Sequence, residues 1–348
     1  MNKVTTIGID LAKHVFQIAA ADRRGAELWQ KRLQSRAAFQ DFIATLEPPL
    51  VVGLEAGLGA QAWARQLAAR GLDVRVLPAQ RVAEHRSGAK NDRNDALAIL
   101  RALRDQRIAA VPIKTAEQLV MQSLHRARSG WVRRKTALSN QMRGLLLEHG
   151  VAMAKGDAAL TAALNRLLAD ASIPVPDRLR DLIAELASEW GMLQQRIERM
   201  TAELESLAKS DPLARRLRTI RGVGPLSATA MACKGLDPAG FRNARQFAAY
   251  FGTVPDQHSS GQKVRLGRMS CRGDGYVRSL LIQGAHAVIK AMRSKIDDPD
   301  NQRIARWVQR HGAKGAAVRL ANHNLRVAWA LMRNDTEYTR CHGGPATH

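Results

Sequence analysis

The stretch VTTIGIDLAKHVFQIAA, residues 4–20, reads as two short apolar strands separated by the polar residues Lys13 and His14. Such runs predict neighbouring strands of one sheet, and Gly25 follows where the chain would turn. Further on, helical and strand patterns alternate over residues 37–46, 51–54, 61–70 and 74–77. Strands that alternate with helices predict an α/β layer domain over residues 1–110.

The character of the sequence changes after Pro112, where long segments of helical periodicity with few breakers begin. The segments 116–149 and 176–207 predict a helical hairpin or a coiled-coil arm. The predicted divisions are the arm at 111–210, a mainly α C-terminal domain at 211–335 with helices over 277–292 and 301–333, and a flexible tail at 336–348.

The charge balance is strongly basic. There are 54 Lys and Arg residues against 31 Asp and Glu residues, which gives a net charge of +23 and a pI near 11.1. Nucleic acid is the favoured partner because each phosphate contact by Lys or Arg releases a counterion, and an anionic membrane surface is the alternative. We expect a soluble, intracellular protein, since no apolar run could span a bilayer and no signal peptide is evident. The three cysteines lack the spacing of a zinc site or a disulfide framework.

Four acidic residues occupy sequence positions that an α/β sheet domain would bring close together. Asp10 and Glu55 each end an apolar strand, whereas Asp92 and Asp95 open a helix and share one of its faces. If the four converged, each pair would repel by roughly 3 kcal/mol at about 5 Å, and divalent cations would relieve this repulsion. Oxygen ligands favour Mg²⁺, which would support in-line phosphoryl transfer. The alternative is ordinary strand ends and helix-capping aspartates.

A second motif overlaps the acidic set. The segment GLGAQA, residues 57–62, follows a strand and opens a helix, as dinucleotide-binding loops do. The next strand ends in VLPA at residues 76–79, without the acidic residue that would bind a ribose. The sequence therefore favours a metal site over a dinucleotide site, and it contains no P-loop motif.

The C-terminal domain combines glycine-rich turns with basic residues. The segment TIRGVGP, residues 219–225, precedes a helix and could bind phosphate at the helix N-terminus or serve as a plain turn. Ser260 lies in a loop rich in arginine and could attack DNA phosphorus, although the adjacent Ser259 leaves the choice of nucleophile open. His258 could carry a proton or be a solvated loop residue. The predicted phosphate contacts that follow are Lys263, Arg265, Arg268, Arg272 and Arg278.

Taken together, these segments resemble the DEDD transposases of bacterial insertion sequences, which are relatives of the pilin-gene DNA invertases. In the first domain the resemblance rests on GIDLAK at 8–13, EA at 55–56, KND at 90–92 and DA at 95–96. In the C-terminal domain it rests on IRGVGP at 220–225, FAAYFG at 247–252, SG at 260–261 and the basic helix from Arg278. One local departure is GLG at 57–59, which replaces the more usual small polar and glycine residues after the glutamate.

The resemblance implies a RuvC-like, RNase H-like N-terminal domain, a coiled-coil middle and a C-terminal transposase domain with a nucleophilic serine. By position it assigns the Mg²⁺-binding and catalytic roles to Asp10, Glu55, Asp92 and Asp95, and the nucleophile to Ser260. Beside Asp92, Lys90 and Arg93 join the predicted nucleic-acid contacts.

The resemblance also implies partners. The nucleic-acid partners are donor and target DNA and a structured noncoding bridge RNA that acts as guide. The protein partners are further copies of the chain, in a homo-oligomer that is a dimer or a tetramer. In this oligomer the acidic site of one protomer joins the serine of another. The sequence thus predicts an RNA-guided DNA transposase in the bacterial cytoplasm, associated with the nucleoid. Two alternatives are a RuvC-like nuclease or resolvase with water as the nucleophile, and a non-enzymatic architectural protein that binds nucleic acid.

Overall fold

The computed structural model describes residues 3–89, 91–257, 265–292 and 298–339. The chain divides into two compact units, Met1–Glu117 and Gln118–His348. The first unit combines a sheet with helices and the second is mostly helical, which confirms the predicted fold class at this level. Within the described ranges, none of the helices is long and apolar enough to cross a membrane.

The first unit is built on a five-stranded sheet with the strand order β3-β2-β1-β4-β5. Its strands are β1 (Thr6–Leu11), β2 (Phe16–Ala21), β3 (Glu27–Leu33), β4 (Val51–Glu55) and β5 (Asp73–Leu77). The first three strands are antiparallel neighbours, whereas β4 runs parallel to β1 and β5 runs parallel to β4. This arrangement is consistent with the RNase H-like fold that the resemblance implies. The sequence did not predict β3, whose residues ELWQKRL are mostly polar and partly exposed at the sheet edge.

Helices cover both faces of this sheet. They are α1 (Arg36–Ala44), α2 (Ala60–Ala68), α3 (Ala79–Glu84) and α4 (Asp92–Arg104). On one face, Phe39 of α1 and Trp63 of α2 contact the ring of Phe16 in β2, with centroid distances of 4.1 and 5.7 Å. On the other face, α4 packs against Ala19 and Ala21 of the same strand. The sheet is therefore buried on both sides, which agrees with its apolar strands.

Two glycines allow α4 to approach the sheet closely. The register of β1 and β4 pairs Gly8 with Gly53. A Cβ atom at Gly8 would lie 2.7 Å from the carbonyl oxygen of Ala96, and one at Gly53 would lie 2.6 Å from Cδ1 of Leu103. Because side chains here would collide with α4, the glycine pair fixes the height at which this helix crosses the sheet.

In the second unit the predicted helical hairpin consists of two long helices with a shorter helix between them. They are α5 (Ala116–Leu147), α6 (Asp157–Ala169) and α7 (Asp177–Ser210). Side-chain hydrogen bonds join Arg128 to Thr201, Lys135 to Gln194 and Ser139 to Trp190. The partners advance by equal steps in opposite directions, so α5 and α7 are antiparallel. A coiled coil in the strict sense remains a prediction.

The remaining elements form the C-terminal part of this unit. They are α8 (Pro212–Leu217), α9 (Pro225–Ala232), a short 3₁₀ turn (Pro238–Gly240), α10 (Ala244–Tyr250), β6 (Pro255–Gln257), β7 (Leu266–Met269), α11 (Gly275–Ala291) and α12 (Pro299–Asn334). The sequence predicted one uninterrupted helix over 301–333, but α12 is kinked at Gly312, where φ is 68° and ψ is 168°. Only glycine adopts this conformation readily, so the kink has an identifiable cause.

Candidate functional site

The ends of two parallel strands place the first two predicted carboxylates side by side. The register of β1 and β4 pairs Ile9 with Leu54, so Asp10 and Glu55 are the next residues of adjacent strands. Side chains alternate along a strand. Ile9 and Leu54 belong to the core on the α1 and α2 side, which directs Asp10 and Glu55 to the opposite face, where α4 packs.

The other two carboxylates lie in the first turn of α4. The N-cap of this helix is Asn91, whose side chain accepts a hydrogen bond from the backbone N–H of Asn94 at 2.8 Å. Asn91 therefore takes the N-cap role, and Asp92 and Asp95 lie in the first turn of the helix, where negative charge is also favoured for structural reasons. Asp95 is buried, whereas Asp92 is exposed. The tight packing of α4 at Gly8 brings its first turn to the carboxyl ends of β1 and β4.

The pKa of Asp10 responds to the other three carboxylates of the predicted set. The pKa of the Asp10 carboxyl is raised to about 6, chiefly because burial disfavours its charged form. Three negative charges contribute to the rise, in descending order those of Asp95, Glu55 and Asp92. A carboxylate feels neighbouring charges in this way only at short range, since solvent screens distant ones. The three other carboxylates are therefore near enough to Asp10 to affect its ionisation, and their joint role as a metal site stays a prediction.

Two arginines that the sequence analysis missed balance part of this charge. Nε of Arg86 forms an ion pair with Oδ1 of Asp95, and both side chains are largely buried. Nη2 of Arg32 lies 3.8 Å from Oδ2 of Asp92, with both side chains more than half exposed. The first pair is the stronger one because little solvent screens it. No periodic signal marks Arg86, which lies in an irregular segment before α4.

The donor set fits a hard divalent cation by its chemistry. All four side chains offer carboxylate oxygens, the ligands that Mg²⁺ prefers, and neither His nor Cys belongs to the set. Bound positive charge would also remove the repulsion that raises the pKa of Asp10. In the conformation observed, no group of three or more His, Cys, Asp or Glu residues among those described is arranged to hold a metal ion. In this conformation the Asp95 carboxylate is paired with Arg86 instead.

The predicted serine site lies mostly outside the described residues. Ser259, Ser260, His258 and Lys263 fall there, as does Lys90 near the acidic set. On either side of the serines in the sequence, β6 and β7 pair as antiparallel strands.

The arginines predicted to bind nucleic acid occupy different environments. Arg93 in α4, Arg265 and Arg268 are exposed. Nη2 of Arg272 lies 3.6 Å from Oδ1 of Asp256 and is also exposed. Arg278 is different, because its Nη1 donates to the carbonyl oxygen of Phe251 at 3.0 Å. In this conformation Arg278 stabilises the backbone rather than presenting a free guanidinium group.

The glycine-rich turn before α9 is explained by close packing. Gly222 has a φ of 86°, and a Cβ atom at Gly284 of α11 would lie 2.0 Å from the carbonyl oxygen of Gly222. The turn and α11 therefore touch at two glycines, as a helix-packing turn requires. This contact favours the structural interpretation of TIRGVGP over phosphate binding.

Two protein-family models match separate parts of the chain. A family model of DEDD transposases of the IS110 type, described as "Transposase", matches residues 7–150. A second model, described as "Transposase IS116/IS110/IS902 family", matches residues 214–299. The first match includes the strands and the helix that carry the four carboxylates, and the second includes the segment with the two serines.

Similar proteins extend these matches over nearly the whole chain. The "Probable family 20 transposase" of Pseudomonas aeruginosa is 42% identical over 340 residues, which cover 96% of this chain and 98% of that protein. The transposase for insertion sequence element IS1111A of Coxiella burnetii is 34% identical and covers 98% of this chain and 93% of its own length. The transposase for IS1328 of Yersinia enterocolitica is also 34% identical, over 98% of this chain and 100% of its own. The chain therefore belongs to the IS110 family of insertion-sequence transposases, enzymes that cleave and rejoin DNA.

Proposed function

We propose that the chain is a metal-dependent, RNA-guided DNA recombinase that excises and inserts its own element, with a serine as the nucleophile. The observation that supports the acidic half most strongly is the placement of Asp10 and Glu55 on adjacent strand ends beneath the first turn of α4. The serine and the guide RNA are supported by the resemblance to DEDD transposases and by the net charge of +23, which suits two polyanionic partners.

In this proposal the four carboxylates hold Mg²⁺. When bound, the metal supplies positive charge that neutralises the scissile phosphate and stabilises the oxygens that enter and leave. Asp10 and Glu55 are held by the sheet, so they define the position of the site without rearrangement. To hold the metal, Asp95 would have to leave its ion pair with Arg86, whose guanidinium group would then be available to a DNA phosphate.

Strand exchange proceeds through an ester in which the Ser260 oxygen is bonded to DNA phosphorus. The Oγ–P bond forms while one P–O bond to a sugar breaks, the serine proton is lost, and the departing sugar oxygen takes up a proton. The phosphodiester energy is kept in the ester, so the reverse attack by another sugar hydroxyl rejoins the strand without an external energy source.

Trapping of the covalent intermediate tests the nucleophile. Wild-type protein, Ser260→Ala and Ser259→Ala are incubated with labelled element-end DNA in Mg²⁺ and denatured. We expect a protein–DNA adduct with wild type and Ser259→Ala but not with Ser260→Ala. Loss of the adduct in Ser259→Ala alone would move the role to Ser259. Cut DNA without an adduct in every case would instead identify water as the nucleophile.

Mixing of inactive subunits tests whether the two halves of the site come from different protomers. We expect Asp10→Asn and Ser260→Ala proteins to be inactive alone and to regain part of the recombination activity when mixed, because each supplies the half that the other lacks. The absence of any recovery, with mixed oligomers confirmed, would contradict a shared site.

Sequencing of co-purified nucleic acid tests the guide RNA. We expect one discrete structured RNA encoded beside the gene. Efficient recombination by protein that carries no such RNA would contradict RNA guidance and leave the DNA chemistry in place.

A further inference from the structure

A cluster of arginines lies at the kink of α12, far along the sequence from the basic residues that the sequence analysis singled out. The cluster lines a cleft of about 410 Å³ together with one tryptophan and one histidine. The lining residues are Arg303, Arg306, Trp307, Arg310, His311 and Arg319. We call this feature the kink cleft. Among the described residues that line it, five can carry positive charge and none carries negative charge.

The kink brings residues together that a straight helix would keep apart. Sixteen residues of continuous helix would separate Trp307 from His323 by about 24 Å. Their ring centroids are instead 6.4 Å apart, so the chain folds back at Gly312. The cleft is therefore created by the kink and disappears if the helix straightens.

The cleft stands on a packed apolar base. On the buried side of the kink, Ile304, Ala317 and Leu320 pack against Val288 and Ile289 of α11. Both halves of α12 are thereby attached to the same neighbouring helix. The backbone positions from which the outer arginines project are consequently fixed relative to each other, which reduces the conformational entropy that binding would cost.

Among the described residues, one arginine of the cleft is paired with an acid and three are not. Arg303 forms an ion pair with Asp300 at 3.0 Å and lies over the ring of Trp307 at 5.6 Å. Arg306, Arg310 and Arg319 are exposed, and no ion pair joins them to any acid in the described part of the chain. Three like charges at one corner repel each other, and an anion with several oxygens would remove this repulsion.

We propose that the kink cleft binds the phosphodiester backbone of a nucleic-acid strand. Guanidinium groups bind phosphate oxygens through paired hydrogen bonds, and several at fixed spacing can bind successive phosphates. Both DNA and RNA present this chemistry. The inference deepens the proposed function by adding a backbone contact, but it depends on neither the metal nor the serine.

Equilibrium binding measured against salt concentration tests the kink cleft. The triple variant Arg306→Gln, Arg310→Gln, Arg319→Gln is compared with wild type on two labelled probes, an element-end DNA duplex and an RNA transcribed from beside the gene. Between about 50 and 200 mM salt, we expect the slope of log affinity against log salt to fall by about 2 to 3 for at least one probe. The probe that responds identifies the bound strand.

Two further variants make the result specific. A triple lysine variant at the same positions keeps the charge and should retain most of the slope. The control Arg134→Gln, Arg166→Gln, Arg178→Gln removes three exposed arginines elsewhere in the second unit and should leave the slope within error of wild type. An unchanged slope for both probes in the glutamine variant, or an equal fall in the control, would overturn the proposal. Matched thermal unfolding curves check that each variant is folded. If the triple variant does not fold, the single variant Arg310→Gln replaces it, and the slope of log affinity against log salt should then fall by about 1.

Discussion

The sheet unit and the kinked helix α12 position charged side chains in opposite ways. In the sheet unit, backbone pairing sets Asp10 beside Glu55, and two glycines fix the helix that carries Asp95. In α12, exposed arginines project from one corner, and helical repeat and a single kink set their spacing. Metal ligands must be held within about 0.5 Å, whereas phosphate contacts are additive and depend on salt. We therefore expect sharp losses from single changes in the first region and graded losses in the second.

Removal of one carboxylate should have the largest effect. Asp95→Asn keeps the shape of the side chain but offers a neutral, weaker ligand, so single-turnover cleavage of element-end DNA in Mg²⁺ should fall by about 1,000-fold. The triple glutamine variant of the kink cleft should lose at most about 100-fold in affinity, and this deficit should narrow as salt is raised, because the variant has the shallower salt dependence. A small loss in Asp95→Asn that also narrows as salt is raised would remove the distinction between the two regions.

The packing of α4 should respond strongly to a single methyl group. Gly8→Ala places a Cβ atom 2.7 Å from the carbonyl oxygen of Ala96, and we expect it to lower the free energy of unfolding by about 1 to 3 kcal/mol. The matched change Gly144→Ala lies in α5 with no atom within 4 Å of the new Cβ. There the better helix propensity of alanine should raise stability by about 0.5 to 1 kcal/mol. Chemical denaturation measures both, and equal effects would show that Gly8 is not a packing position.

Apolar runs and strand ends made much of the first unit predictable. The patterns predicted β1, β2, β4 and β5, and they placed Asp10 and Glu55 at strand ends, whereas the adjacency of the two strands came from the structure. The apolar residues later in α4 likewise predicted a helix whose opening carries Asp92 and Asp95 on one face. These features are local, because alternation and helical repeat follow from a few neighbouring residues.

The features that were missed depend on contacts between distant residues or on weak local signals. The strand β3 is mostly polar and is stabilised by pairing with β2. The pairing of Arg86 with Asp95 depends on an irregular segment without a repeat. A glycine such as Gly312 can stand inside a straight helix or break it, and only packing decides between the two. The kink cleft follows from that choice, so no charge pattern in the sequence could reveal it.

The ion pair of Arg86 with Asp95 should matter more than an exposed pair of the same type. Without metal, Arg86→Gln leaves a buried carboxylate unpaired, and we expect a loss of about 2 kcal/mol in unfolding free energy. Arg81→Gln, which removes an exposed pair with Glu84, should cost less than about 0.5 kcal/mol. Because Asp95 is then free of its competitor, Arg86→Gln should also bind Mg²⁺ more tightly. Weaker binding would mean that Arg86 positions the ligands rather than competing with the metal.

The raised pKa of Asp10 predicts a stability difference that depends on pH. The folded protein favours the protonated form, so the metal-free wild type loses stability as pH rises from about 4 towards 6, while Asp10→Asn does not. The variant should therefore be the more stable protein above pH 6, by on the order of 1 kcal/mol after allowance for solvent screening, and the advantage should vanish below about pH 4. Thermal unfolding across this range, without metal, measures it. An advantage that is equal at all pH values would point to a cause other than ionisation.

Titration of the metal-free protein with Mn²⁺, followed by calorimetry, tests most directly whether the four carboxylates form a metal site. Wild-type protein and Glu55→Gln are compared at neutral pH, with Glu84→Gln, an exposed carboxylate in α3, as the control. We expect saturable binding by wild type and by the control, and at least about tenfold weaker binding by Glu55→Gln. Equal binding by all three proteins, or no binding by wild type, would contradict the assignment of the metal to Asp10, Glu55, Asp92 and Asp95.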